Sequence, residues 1–365
     1  MSWHATATEP EWLAAVTDPN RLVSSRVEVV SFDGPSLGDI ACDAVAVSVD
    51  ADRAEQWAAS FRFSDEATVP ASTTSVLDGR SGLWLRVWWR LWAASSWLEV
   101  PVGTFVVEDS EWSDAGTLSG TVPGLDPLAV ARRGKYGAAV INVGGLPVST
   151  ALRHLFESVA PGFPVSIEPS TVTLPAQFEL WARDPAEDWT EIAAMAGMVV
   201  RTDRLGVITV ARPPESSMPA ADWQEGAACP VVELGVKHKT STIPRRVVVV
   251  STNPDVVPPV VGSWDNPDAD SQMIVTETRV ESSTVTTVEA ATNLAMLTGT
   301  RWARPQQTVE VTVPARPDLD MGDLVSLSRQ RVGVAGLYRV GGWSLDLRGP
   351  DQPPAAMRVQ MMARQ

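Results

Sequence analysis

Cysteine is nearly absent. Cys42 and Cys229 are the only two in 365 residues, so no disulfide framework is available to hold the fold. Histidine is as scarce, and His4, His154 and His238 lie far apart. With no Cys-x-x-Cys pair and no Cys/His cluster, structural zinc is not expected. Lysine occurs three times, at Lys135, Lys237 and Lys239, which leaves 26 arginines among the 29 basic residues. Together with fifteen tryptophans beside two tyrosines, this bias points to a GC-rich coding genome and carries no mechanism. Positive charge is in deficit: 44 acidic side chains give a net charge of −15. A nucleic-acid partner would want a basic face, and an anionic membrane surface would repel this chain. No run of eighteen apolar residues exists to span a bilayer. The N-terminal MSWHATATEPEWLAAV lacks the basic region and apolar core of a secretory signal. The expectation is a protein folded in a reducing cytoplasm, without cofactor or metal.

What is present is the composition of a folded chain, 44% hydrophobic with mean hydropathy near zero. Its length calls for two or three domains. Residues 22–130 read as β. Phe61 and Phe63 alternate with Arg62 and Ser64, and turn signals recur about every 8–15 residues without helical periodicity, as at Asp33-Gly34-Pro35 and Ser113–Gly116, which suggests a barrel or sandwich. Residues 147–213 change character. Leu152, Leu155, Phe156 and Val159 fall on one helical face that ends at Pro161-Gly162. A second helix is announced by Asp184, Pro185 and Glu187, with Trp189, Ile192, Ala193 and Ala196 as its buried stripe and Gly197 as its stop. Two strands follow across an Asp203–Gly206 turn. Residues 231–349 return to β, interrupted by a Pro- and Asp-rich loop over 253–270. They also contain a helix from Val288 to Trp302, with Thr286 and Glu289 at its start and Ala291, Leu294 and Ala295 facing inward. The two β regions echo one another. GLYRVGGWSL at 336–345 and GTFVVEDSEWS at 103–113 share a glycine, an aromatic two residues on, a valine two further, and a Trp-Ser pair.

No catalytic set stands out. There is no G-x-S-x-G elbow, and GGLP and VGGW lack the strand–glycine–helix context of a phosphate cradle. The carboxylate pairs Asp318/Asp320 and Asp268/Asp270 fall in turns, where Asp more often bonds its own backbone than performs acid–base work. One stretch is unusual: LWLRVWWRLW, residues 83–92. As a strand it turns Leu83, Leu85, Val87, Trp89 and Leu91 to one side. Trp84, Arg86, Trp88, Arg90 and Trp92 face the other. That Trp/Arg ladder has the composition enriched at protein interfaces and suits cation–π stacking. It is a candidate subunit or partner interface, against two alternatives: internal packing under another layer of the same domain, or a carbohydrate-stacking platform.

Four segments, taken in order, resemble the tail hub proteins of long-tailed bacteriophages. They are DAVAVSVDADRAEQWAASFRFSDE, VPVGTFVVEDSEWSDAGTLSGTVPGLDPLAVARRGKY, WTEIAAMAGMVVRTDRLGVITVARPP and ARPDLDMGDLVSLSRQRVGVAGLYRVGGWSLDL. This is the baseplate-hub family, whose fold recurs in contractile tails and type VI spike complexes. The resemblance covers most of residues 20–348. It implies a mainly β fold with an α+β insertion, in which two related β-barrel hub domains (22–146 and 231–349, the second with an inserted helix) flank a small α/β domain (147–230). An N-terminal arm (1–21) and a C-terminal tail (350–365) complete the expected layout. It further implies a non-enzymatic homotrimeric ring at the virion tail tip, made in the host cytoplasm. That ring joins the tail tube or distal tail protein to other tip or receptor-binding proteins, and it surrounds the end of the tape-measure protein on the DNA-ejection path. Larger relatives carry C-terminal peptidase, lectin-like or spike segments, whereas this chain ends soon after GLYRVGGWSLDL, so receptor binding or wall digestion is expected in other chains. The alternative is a carbohydrate- or cell-wall-binding minor tail protein, and a hydrolase without a recognisable motif ranks third.

Overall fold

A computed structural model describes residues 12, 14–16, 18, 21–32, 34–50, 56–93, 96–134, 141–176, 178–180, 184–212, 218–226, 229–239, 243–252, 256–267, 277–282, 287–302, 306–348 and 356–363. The chain divides into two compact units. One joins Met1–Leu234 to Glu310–Arg364, and the other is Gly235–Val309.

The first unit opens with eight strands: β1 (Val23–Ser31), β2 (Ser36–Ile40), β3 (Ala44–Asp50), β4 (Trp57–Phe63), β5 (Leu83–Ala93), β6 (Ser96–Val107), β7 (Glu111–Asp114) and β8 (Leu118–Leu125). The two-residue period of a half-buried strand is clear in β4, where Trp57, Ala59, Phe61 and Phe63 are buried while Ser60 and Arg62 are exposed. The short helix α1 (Pro127–Ala131) follows, with Pro127 in its first turn and the Asp126 carboxylate capping its N-terminus.

The α/β region contains β9 (Ile141–Asn142), α2 (Val148–Val159), β10 (Val165–Ile167), β11 (Glu179–Leu180), α3 (Pro185–Met195), β12 (Val199–Thr202) and β13 (Ile208–Ala211). Its two helices form where the periodicity places them. Leu152, Leu155, Phe156 and Val159 of α2 are all buried. In α3, Asp184 accepts from the Ala186 N–H at 3.0 Å, and Gly197 takes the left-handed conformation just beyond the helix end. Phe156 stacks on Trp189 with centroids 5.3 Å apart. Beneath them β13 lies between a parallel β10 and an antiparallel β12. The strand β14 (Ala221–Trp223) closes this part of the chain.

The second unit begins within β15 (Glu233–Lys239). It contains a three-stranded sheet in which β16 (Arg246–Ser251) lies between β17 (Val261–Asp265) and β18 (Glu277–Ser282), and the helix α4 (Val288–Trp302). The helix packs through Ala291 and Ala295 onto Val247 and Val249. The helix bounds are those expected, and Thr286, its expected cap, lies outside the described residues. So do Asp268 and Asp270.

The chain then returns through β19 (Gln306–Pro314), β20 (Leu324–Arg329), β21 (Val334–Arg348) and β22 (Ala356–Ala363). In the first unit the strands run β19-β22-β21-β3-β4-β8-β6-β5-β1-β2, with β20 joining β21, β14 joining β20, and β7 joining β8. The mainly β architecture with an α/β insertion is therefore as expected. The strand path is open among the described residues. The first and last β regions share one sheet, because β21 pairs antiparallel with β3, Trp343 opposite Val49. Residues 350–365, expected as a tail, contain β22, whose Met357, Val359 and Met361 are fully buried. Trp12, within the stretch expected as an N-terminal arm, is buried edge-on to Trp89 with centroids 5.9 Å apart.

The sequence echo has a partial structural counterpart. Phe105 and Val107 in β6, and Tyr338 and Val340 in β21, are all buried. The glycines differ: Gly336 has φ +139, while a Cβ on Gly103 would sit 2.7 Å from the Phe105 ring. Trp343 lies in the same strand as its glycine, whereas Trp112 lies in the next strand, β7.

Candidate subunit interface

The odd face of β5 is core. Leu85, Val87, Trp89 and Leu91 are fully buried. The even face splits into three parts.

At one end Trp84 is 3% exposed and meets Phe163 of the α/β region edge-on at 5.2 Å. Arg86 donates from Nε to Thr104 Oγ1 (3.2 Å) and from Nη2 to the Leu205 carbonyl (3.3 Å). These two ladder residues receive the tip of the β12–β13 hairpin. That tip is the expected turn: Asp203 Oδ1 accepts from the Leu205 and Val207 N–H groups, and Gly206 has φ +84. Gly206 also packs where a Cβ would lie 3.0 Å from Thr104, so any other residue there is both strained and crowded.

The middle is a charge-balanced network. The Trp88 indole N–H donates to Glu28 Oε2 at 2.9 Å, and the Arg26 guanidinium lies 5.1 Å over its ring. Arg26 also donates to Asp39 (2.8 Å) and Glu99 (3.0 Å). Arg90 pairs with Glu99 at 3.0 Å and lies 4.8 Å over Trp97. Three arginines (Arg26, Arg86, Arg90) thus meet three carboxylates (Glu28, Asp39, Glu99). The far end is open: Trp92 is 43% exposed, edge-on to Trp97 at 5.4 Å, and its backbone N–H donates to the carbonyl of the exposed Leu22.

One residue that sequence reasoning passed over organises this region. Arg204, at the hairpin tip, is 2% exposed. Its guanidinium donates to the carbonyls of Pro101 (3.3 Å), Pro317 and Leu319 (2.8 Å), and from Nε to Asp320 Oδ1 (2.7 Å). The Thr104 hydroxyl in turn donates to the Arg204 carbonyl at 3.0 Å. Three segments far apart in sequence are clamped by one planar fork of five donors. Pro101 lies at the irregularity in the β5–β6 ladder, where the register slips between Val87 and Trp88; bulges of this kind re-aim backbone groups. The only signal in the sequence was an arginine placed in an Asp-x-x-Gly turn.

The carboxylates singled out earlier are occupied in the same way. Asp320 binds Arg204, and Asp318 binds Arg316 through two hydrogen bonds of 2.9 and 2.7 Å. Burial alone would raise the Asp318 carboxyl; the paired Arg316 more than offsets it and holds the group below its ordinary range. Asp126, 1% exposed, accepts from the N–H groups of Trp57 (2.9 Å) and Ala129 (2.8 Å) and from the Thr202 hydroxyl (3.2 Å). Burial pushes its carboxyl up, against the pull of those donors. Among the described residues no group of three or more His, Cys, Asp or Glu is placed to hold a metal ion, and no helix is long and apolar enough to cross a membrane.

No protein-family model matches the chain, and no curated protein matches it in sequence. Solved structures do match in fold. A tail protein from Neisseria meningitidis MC58 superposes with a TM-score of 0.65 at 13% identity, over 93% of this chain and 96% of that one. The 43 kDa tail protein of prophage MuSo2 from Shewanella oneidensis gives 0.62 at 12% identity, over 93% and 98%. A chain of a Francisella PdpA–VgrG complex gives 0.56 at 7% identity, over 94% of this chain and 58% of that one. At such identities the likeness speaks to architecture, and the chain has the fold of these tail and PdpA–VgrG-complex proteins.

Proposed function

We propose that this chain is a structural tail hub protein of a bacteriophage, a homotrimeric ring at the tail tip that joins the tail tube to the tip and surrounds the end of the tape-measure protein on the DNA-ejection path. The observation that carries the reading is the end-to-end fold match to a tail protein, 93% of one chain against 96% of the other. The two β regions, 22–146 and 231–349, serve as the hub repeats around the α/β domain at 147–230. Partners are further copies of the chain, the tube or distal tail protein, the tape-measure protein and other tip proteins. The role requires no catalysis, cofactor or sequence-specific nucleic-acid contact. Of the ladder, Trp92 is the element free to meet a partner, since Trp84 and Arg86 hold the hairpin tip and Trp88 and Arg90 are engaged in the network. A three-tryptophan sugar platform has little to stand on, with Trp84 buried and Trp88 under Arg26.

Light scattering on the purified chain, with negative-stain images of the same sample, tests this. Rings at three times 39.2 kDa are expected. A chain that stays monomeric even when mixed with its tube and tip neighbours would sink the reading.

A further inference from the structure

The second unit carries an exposed apolar loop. Residues 256–261, which end on the first residue of β17, read Val-Val-Pro-Pro-Val-Val; Val260 packs inward on the unit's core, and no charge occurs between Val256 and Trp264. Val257 is 86% exposed and Val261 50%, and both prolines are exposed. Pyrrolidine rings fix φ at the two central residues, so docking the loop costs less ordering than a flexible segment would. The first unit carries a surface of matching chemistry, the open end of the ladder. There Trp92 and Trp97 meet edge-on beside the exposed Leu22, and Arg90 is neutralised by Glu99. Aromatics and arginine around an apolar centre are the usual make-up of an interface core.

Charge selects the occupant. At −15 per chain, copies repel over most of their surface. Contact between them is favoured where one side is uncharged and the other balanced, and this loop and this patch meet that condition.

We propose that the 256–261 loop of one copy docks on the Trp92–Trp97 patch of the next. Such a head-to-tail contact uses two different surfaces of each copy and so closes into a ring when the rotation allows. The proposal rests on the ring reading and names the contact that builds it.

The test uses Trp92→Asp and Val257→Asp in the full chain, each checked for wild-type far-UV circular dichroism, with association followed by sedimentation velocity. Wild-type rings are expected, with each variant weakened about 30-fold, the effect of losing one hot-spot side chain. An equimolar mixture should form dimers and nothing larger, because one intact loop meets one intact patch. Rings from wild type and from both variants overturn the proposal while leaving the ring reading in place. So does a mixture that stays monomeric. If the wild type by itself forms no ring, the contact is read in two other ways. A peptide of residues 253–263 should shift tryptophan emission in wild type and not in Trp92→Asp. Trp92→Cys and Val257→Cys chains, mixed and oxidised, should cross-link to each other. No shift and no cross-link overturn the proposal.

Discussion

Truncating Arg204 to alanine would strand three backbone carbonyls, at Pro101, Pro317 and Leu319, in a site that excludes water. Unmet buried acceptors are expensive, so Arg204→Ala is expected to cost on the order of 3 kcal/mol in urea unfolding. Arg204→Lys keeps the charge but not the fork and should recover about half of that loss. An unchanged midpoint in Arg204→Ala would show that the clamp carries no net stability. Two aspartates should respond to acid with opposite signs. Burial raises the Asp126 carboxyl in the folded state. Its favourable linkage is therefore fully present below the ordinary Asp value near about 4 and is lost as pH rises through the raised value. Wild type should gain stability relative to Asp126→Asn as pH falls through that window, which parallel urea titrations would read. Asp78 is held down to about 2 by its hydrogen bonds with Arg80. Its contribution is present above the ordinary value and fades as pH falls towards 2, so Asp78→Asn should flatten the acid limb of loop 64–82 in hydrogen exchange.

At the scale of elements, α4 sits so close to its sheet that glycine is required. A Cβ on Gly262 would lie 2.3 Å from the Thr292 backbone nitrogen and 2.4 Å from the Ala291 carbonyl carbon. Backbone cannot step aside as a side chain can, so Gly262→Ala should destabilise the second unit by about 2 kcal/mol or more, seen as a lower melting midpoint. This seat was hidden in the sequence, where Gly262 reads as loop punctuation beside Pro258-Pro259. The helices were legible because their signals are local: Asp184-Pro185 starts α3, Gly197 ends it, and the 3.6-residue stripe of α2 is self-contained. The inner face of β5 was legible for the same reason. The fate of its outer face depended on Phe163, Leu205 and Glu28, residues whose approach no local pattern encodes. β22 went unread although Met357, Val359 and Met361 alternate cleanly, because eight residues after a Pro-rich stretch look like a tail until β21 is there to pair with them.

At the scale of the molecule, hydrophobic burial among the described residues is uneven. The second unit has a core cluster of Val247, Val249, Ala291 and Ala295, small side chains supported by Trp264 and Leu294. The first has fully buried Trp89, Phe61, Phe105, Leu85 and many more. Small cores give low opening free energies. Amides of β16, β17 and α4 should therefore exchange well before those of β3–β6 in a native-state hydrogen-exchange series, and equal protection would contradict this. The uneven burial also bears on assembly, since the loop proposed to dock on a neighbouring copy belongs to the less stable unit, and docking would raise that unit's protection by mass action.

The pairing of β21 with β3 sets a timetable for the ribosome. Residues 44–50 cannot find the partners at 342–348 until synthesis has passed residue 348, a wait of roughly 300 residues or about 15–60 s at ordinary synthesis speed. Through that interval β3 offers an unsatisfied edge to any passing strand. Its sequence, AVAVSVD, reads as an adhesive segment with a single terminal charge. Slowing translation late in the message should increase the aggregated fraction, whereas the same delay placed before residue 44 should not.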